Sequence, residues 1–321
     1  MKLTVIGTGK IVEEALPVLS ETKGIELKAI VSTKRSFDKA KALSQLYEIP
    51  HFYDQLEEAL EDANSDTVYI ATPNHLHYEM AKAAILAGKH VICEKPFTLE
   101  LAQAQELAEL AKQKQLMLLE AITNQYLENF SLIKEQLPEL GDIKVVDCNY
   151  SQYSSRYDAF KDGVIAPAFD PEKGGGALRD LNIYNIHLVV GLFGEPEHVA
   201  YLPNMERGVD TSGVLLLDYA KFKVVCIGAK DCSAEIKSTI QGNKGSIAIL
   251  GATNTLPEIQ VTKNGEKPQV FNANQGNHRM VAEFQVFQEI IALKDYARAQ
   301  AALNHSLSVM KVLEKASESL S

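Results

Sequence analysis

Lys95 is the first residue of this 321-residue chain whose position suggests chemistry, because it follows the apolar run His90-Val91-Ile92-Cys93 within Glu94-Lys95-Pro96. Open α/β sheets bind ligands at the carboxyl ends of their strands, so a lysine there can face a bound molecule. Most lysines are solvated surface groups; a strand end before proline argues against that here. A second set lies in Gly174-Gly175-Gly176-Ala177-Leu178-Arg179-Asp180-Leu181-Asn182-Ile183-Tyr184-Asn185-Ile186-His187. Three glycines let the backbone turn sharply into a helix, on which Asp180, Tyr184 and His187 recur at i, i+4 and i+7 as one stripe. The alternative is a wet helix face shared with Arg179, Asn182 and Asn185. The flanking Leu181, Ile183, Ile186, Leu188 and Val189 are too apolar for an openly exposed helix.

A cofactor site is readable at the start. Gly7-Thr8-Gly9-Lys10-Ile11-Val12 follows a strand and opens a helix, the context the dinucleotide fingerprint requires. The first glycine permits the tight turn, and the second lets backbone amides approach a pyrophosphate at the helix N-terminus. Val12 replaces the third small residue, which predicts looser helix packing. An NAD site normally carries a carboxylate at the end of the second strand. Here Val31 is followed by Ser32-Thr33-Lys34-Arg35, two hydroxyls and two cations that suit a 2′-phosphate. The expected cofactor is NADP, with NAD as the alternative; a solvated basic turn, with Lys39 and Lys41 nearby, is the competing reading.

Ala71-Thr72-Pro73-Asn74-His75-Leu76-His77 leaves one strand and Glu94-Lys95 another, both beside the nicotinamide half of such a dinucleotide. His75 and His77 could chelate a metal, but no third ligand is evident and none is expected; His77 is assigned to the helix start or a cofactor contact.

The elements that must position these groups change in kind along the chain. Up to about residue 122, β-branched runs at Leu3–Ile6, Glu26–Ser32, Thr67–Thr72, Lys89–Cys93 and Leu116–Glu120 alternate with helical patterns, which predicts a doubly wound parallel sheet. Residues 123–321 instead string strands together around one strong helix near 177–192, with a last helix from about Met280, which predicts an α+β domain. Lys221 and Gly242-Asn243-Lys244-Gly245 fall where hairpin turns belong. Charged residues make up 23% and hydrophobic ones 46%, the balance of a soluble globular protein. A net charge of −10 argues against nucleic acid or an anionic membrane as partner. No apolar run approaches the roughly 20 residues of a membrane helix, and no signal-peptide pattern is seen. The four cysteines lack metal-ligand spacing, and free thiols in the cytoplasm are expected.

Together Gly7-Thr8-Gly9, Ala71-Thr72-Pro73-Asn74 with His77, Glu94-Lys95-Pro96, Glu120-Ala121, Gly174 to Leu178 with Asp180, and Gly242 to Ile247 resemble the Gfo/Idh/MocA oxidoreductase family. The resemblance implies a Rossmann domain followed by a second domain with a large open, mostly antiparallel sheet that forms a homodimer or homotetramer. It implies a cis Lys95–Pro96 bond and a catalytic set of Lys95, Asp180 and Tyr184. It further implies hydride transfer between the nicotinamide and the carbinol or carbonyl carbon of a sugar, polyol or small carbonyl compound such as a dicarbonyl. Free tyrosine, with a pKa near ~10, is a poor base at neutral pH, and a neighbouring ammonium favours its phenolate. Tyr184 is therefore read as proton carrier, Lys95 as its electrostatic partner and Asp180 as the orienting group, with Lys95 as direct acid/base the competitor. Relatives often place an arginine where this chain has Ile122-Thr123-Asn124-Gln125-Tyr126, and a glycine where it has Asn182. Tyr150 to Tyr157, rich in hydroxyls and aromatics, suits a polyol or forms a polar sheet edge. An NADP-binding sensor without turnover and an NAD-dependent glycoside hydrolase are the alternative functions.

Overall fold

The computed structural model describes residues 1–62 and 64–320, in two compact units. The first comprises Met1–Ala121 with Met280–Leu307, the second Ile122–Arg279 with the residues from Ser308 on. Ser321, the last residue of the expected second domain, lies outside the described residues.

In the first unit, short strands with little polarity are buried on both faces, which a parallel sheet between helices requires. They are β1 (Lys2–Ile6), β2 (Glu26–Val31), β3 (His51–Tyr53), β4 (Thr67–Ile70), β5 (His90–Glu94) and β6 (Leu118–Ala121). Their order is β3-β2-β1-β4-β5-β6, every pair parallel. The connecting helices are α1 (Lys10–Glu21), α2 (Phe37–Leu46), α3 (Leu56–Glu61), α4 (His77–Leu86) and α5 (Leu101–Gln113). Strand order reverses between β1 and β4, the place where such sheets open a ligand crevice. The sequence did not reveal β3, since three residues with a histidine at their head make no apolar run. Pairing against Ala29, Ile30 and Val31 creates it.

The second unit holds helices α6 (Glu128–Gln136), α7 (Tyr157–Lys161) and α8 (Ile183–Phe193). Its strands are β7 (Ile143–Ser151), β8 (His198–Glu206), β9 (Val209–Tyr219), β10 (Phe222–Ala229), β11 (Ser238–Gly242), β12 (Gly245–Ile249), β13 (Ile259–Lys263) and β14 (Gln269–Phe271). They form one sheet in the order β14-β13-β12-β11-β7-β10-β9-β8, antiparallel throughout except for β7 with β10. Ala220-Lys221 and Asn243-Lys244 are two-residue turns at the expected places, and Arg207-Gly208 is a third.

α8 lies on one face of this sheet. Asn182 and Asn185 donate their side-chain amides to the carbonyls of Cys226 (3.1 Å) and Ile227 (3.0 Å). A Cβ at Gly228 would stand 2.8 Å from that of Asn182, so the strand's glycine makes the room that the asparagine takes. Strand alternation assigns Leu202, Val214 and Ile227, in register, to the opposite face, with Leu216 beside Val225. Leu202 is 62% exposed there and Leu216 40%.

Two helices, α9 (Met280–Leu293) and α10 (Tyr296–Ser317), replace the single terminal helix, broken where Lys294 takes a φ of 53°. The expected division into 1–122 and 123–321 is corrected: residues 280–307 return to the first unit. There Phe284, Phe287 and Ile290 are buried, and Phe284 meets the Tyr69 ring edge-on at 5.2 Å. Among the described residues no helix is long and apolar enough to cross a membrane, and no three potential ligands gather for a metal. All four cysteines are free thiols.

Candidate active site

The glycine turn is built by steric exclusion. Gly7 has a φ of +125°, and any Cβ there would collide with the Ala71 carbonyl oxygen. Gly9, by contrast, has an ordinary φ of −72° and no atom within 4 Å of where its Cβ would be. Its side faces open space, and it starts α1 with no side-chain cap. Uncapped amides at a helix N-terminus are an anion site. Val12 is fully buried beneath the turn, so its bulk is absorbed in the core.

Above this turn lies a cavity of about 620 Å³. Gly7, Thr8, Gly9, Ile11, Ser32, Thr33, Lys34, Ala71, Thr72 and Pro73 all line it, as the sequence suggests. Ile6, Val31, Ser36, Asp54, Gln55, Leu56, Leu76 and Met80 complete the wall and were not anticipated. Ser36 completes a 3₁₀ turn whose hydroxyl lies 3.0 Å from that of Thr33. Asp54 follows β3, an element the sequence concealed. The cradle, its open glycine and its size fit a dinucleotide.

Several expected cofactor contacts stand outside this cavity wall. Arg35 is exposed in the middle of the 3₁₀ turn and Lys10 is exposed on the first turn of α1; neither lines the cavity. Lys39 pairs with Glu13 at 2.7 Å. Glu94 is buried and accepts the Tyr69 hydroxyl at 2.5 Å. His77 is wholly buried: Nδ1 lies 2.9 Å from the Pro96 carbonyl oxygen and Nε2 3.0 Å from that of Thr72. Burial lowers its pKa, so the ring is neutral and donates to one of the two carbonyls. The ring is thus packed between the loop after β4 and the loop after β5 and hydrogen-bonded to one of them. Asn74 and Lys95 also stand outside the wall, Lys95 half-buried at the end of β5 with a cis bond to Pro96. His75 is exposed and points to no chelate with His77.

In the second unit, the helix bearing Asp180 and Tyr184 begins as a π-helical turn, Leu178–Asn182, before α8. A wider turn alters the phase of the expected stripe, as π-turns do at functional sites. Asp180 keeps 37% of its side chain exposed, Tyr184 is nearly buried, and His187 is fully buried and no part of an accessible stripe. The glycine turn before it is held by Asp210, which accepts the Leu178 amide and the Tyr201 hydroxyl, each at 2.7 Å. Gly176, with a φ of +117°, leaves room for that carboxylate, whose pKa burial raises. Asn124 donates to the Tyr184 carbonyl and Gln125 to that of His187, both at 2.9 Å. The segment without the relatives' arginine thus anchors α8.

Around Tyr184, the Tyr150 ring stands 6.1 Å away. Tyr157 donates to Glu206 at 2.7 Å and stacks on Phe160 and Phe169. That carboxylate pushes its pKa up to about 12, so Tyr157 keeps its proton. Lys230, one residue past β10, is 2% exposed and pairs with Asp180 at 2.8 Å. No pattern around Ala229-Lys230-Asp231 distinguishes it from a turn lysine.

A dinucleotide cradle on a parallel sheet, followed by a sheet domain carrying an acid and a phenol on one helix, defines a two-domain oxidoreductase. The family profile described as an oxidoreductase family with NAD-binding Rossmann fold matches residues 1–121, and the GFO/IDH/MocA C-terminal domain matches residues 134–248. The chain belongs to the Gfo/Idh/MocA oxidoreductase family. It is 31% identical to scyllo-inositol 2-dehydrogenase (NADP(+)) IolU of Bacillus subtilis, over 98% of this chain and 96% of the relative. It is 29% identical to trans-1,2-dihydrobenzene-1,2-diol dehydrogenase of Xenopus tropicalis, over 77% and 74%. The crystal structure of KijD10, a 3-ketoreductase of Actinomadura kijaniata with NADP and TDP-benzene, shares the fold with a TM-score of 0.88 at 23% identity, over 99% and 97%.

Proposed function

We propose that this protein is an NADP-dependent dehydrogenase of a cyclic polyol, oxidising one secondary hydroxyl to the ketone or catalysing the reverse reduction. The observation that carries the reading is the cavity wall formed by Ser32, Thr33 and Lys34, where an NAD site has a carboxylate at the end of the second strand. The NADP-dependent inositol dehydrogenase relative, aligned along almost the whole chain, supports it. NAD is the alternative cofactor.

When bound, NADP supplies the hydride acceptor. The chain's own groups handle the proton: as the hydride leaves the carbinol carbon, the hydroxyl proton passes to the Tyr184 phenolate, which becomes the phenol, and the carbonyl forms. Lys95 stabilises the negative charge that develops on oxygen, and Asp180 orients these groups. We place the protein in the cytoplasm as a homodimer or homotetramer. Its subunits meet through the sheet face bearing Leu202, Val214, Leu216, Val225 and Ile227, an apolar surface that a second copy covers.

Calorimetric titration tests the cofactor. NADP binds more tightly than NAD, and Lys34→Ala weakens NADP about 10- to 100-fold, the loss of one charge-assisted contact, while leaving NAD within about twofold. Tighter binding of NAD, or equal losses for both, overturns the reading.

A further inference from the structure

We propose that Lys230 is a positioning residue of the active site, an internal cation that locks the Asp180 carboxylate in one ionised orientation. The inference rests on the reading above, in which Asp180 belongs to the catalytic set. Lysine is among the residue types least often found fully buried, and a desolvated ammonium must be compensated by close partners. Lys230 is fully compensated from three directions. Its Nζ donates to Asp180 Oδ2 at 2.8 Å and to the Ala168 carbonyl oxygen, and it sits over the buried Phe169 ring at 4.3 Å from the centroid. Its backbone is equally fixed, with its amide donating to the Thr211 carbonyl and its carbonyl accepting from the Ser154 amide, each at 2.8 Å.

These partners lie on different segments. Ala168 and Phe169 precede the glycine turn, Asp180 follows it, and Lys230 directly follows the last residue of β10. One ammonium therefore ties the start and the end of the turn to a rigid strand. Asp180 sits on a π-helical turn, where backbone geometry alone holds a side chain less firmly, and more than a third of its surface is open. A carboxylate so placed would sample several rotamers without an anchor. With one oxygen held by a buried cation, it presents a fixed negative charge on the same helix as Tyr184. The pair also makes Asp180 a poor base, which leaves proton carriage to the phenol.

The test uses the full-length chain with NADP and scyllo-inositol. Lys230→Met lowers kcat about 10- to 100-fold, the size of one lost hydrogen bond to a charged group, with KM changed less than about threefold. The acid limb of its kcat–pH profile moves to higher pH, because Asp180 has lost the cation that favours its ionised form. Lys230→Gln, which keeps a donor without the charge, recovers part of kcat and leaves the limb shifted. In an Asp180→Asn background Lys230→Met causes no further loss, because Lys230 acts through Asp180. A folded Lys230→Met with wild-type kcat and pH profile, or an equal loss in both backgrounds, overturns the proposal.

A readout without turnover separates this inference from the proposed function. In otherwise unaltered protein the Lys230 ammonium gives a protected ¹⁵N–¹H signal that Asp180→Asn shifts. A missing or unmoved signal overturns the pairing even if the Lys230 variants do not fold. If no polyol supports turnover but that signal behaves as described, the substrate reading fails and the pairing stands.

Discussion

At the residue scale, Gly7 and Gly9 look alike in the sequence but do different things. Gly7 is a structural requirement, because its φ of +125° and the Ala71 carbonyl exclude a side chain. Gly7→Ala is expected to destabilise the first unit by about 1–3 kcal/mol, measured by chemical denaturation. Gly9 has ordinary backbone angles and open space, so Gly9→Ala leaves stability within about 0.5 kcal/mol. The same variant loses NADP affinity about tenfold or more, because its methyl occupies space the pyrophosphate needs. Equal effects of the two substitutions on stability would contradict this division. Tyr184→Phe lowers kcat about 10²- to 10⁴-fold with NADP affinity unchanged, the cost of a lost proton carrier. Near-normal turnover in Tyr184→Phe, with none in Lys95→Met, would transfer that role to Lys95. The groups around Gly7, Lys95, Asp180 and Tyr184 were singled out in the sequence because each set sits within a few consecutive residues. Lys230 was not, since its partners Ala168 and Asp180 are 62 and 50 residues away.

At the element scale, His77, which the sequence assigns to a helix start or a cofactor contact, is the first residue of α4 and is wholly buried between the loops after β4 and β5. Burial depresses the pKa of His77, and likewise of His90, whose Nδ1 accepts the Met117 amide at 2.9 Å. The unfolded chain takes up these protons first, at about pH 6.5, so their contribution to stability is present above that pH and lost as pH falls through it. Each group steepens the fall by up to about 1.4 kcal/mol per pH unit. Denaturation curves between pH 7.5 and 5 test this, with His77→Gln giving a shallower slope; an unchanged slope contradicts it. Long apolar runs announced most strands, whereas β3 depended on pairing with β2, and the π-helical turn before α8 is hydrogen-bonded to Asp210 and Lys230, both distant in sequence. Such long-range causes leave no local periodicity to read.

At the scale of the whole molecule, the sequence pattern placed the change from alternating to consecutive strands near residue 122, because each layer architecture has its own rhythm. It could not show that residues 280–307 pack with the first unit, since an amphipathic helix does not encode which core it covers. The open sheet face carries the assembly prediction. Leu216→Glu places a charge within the apolar rows of that face and shifts wild-type dimers or tetramers to monomers in sedimentation velocity. A monomeric wild type, or a variant with unchanged assembly, contradicts the proposed interface. The central claim is net redox turnover, and absorbance at the reduced-nicotinamide band tests it most directly. With NADP and scyllo-inositol the wild-type chain is expected to accumulate reduced cofactor in step with ketone, at a rate that Lys95→Met abolishes. Hydrolysis of a glycoside without net absorbance change, or no change with any polyol in either direction, would contradict the account.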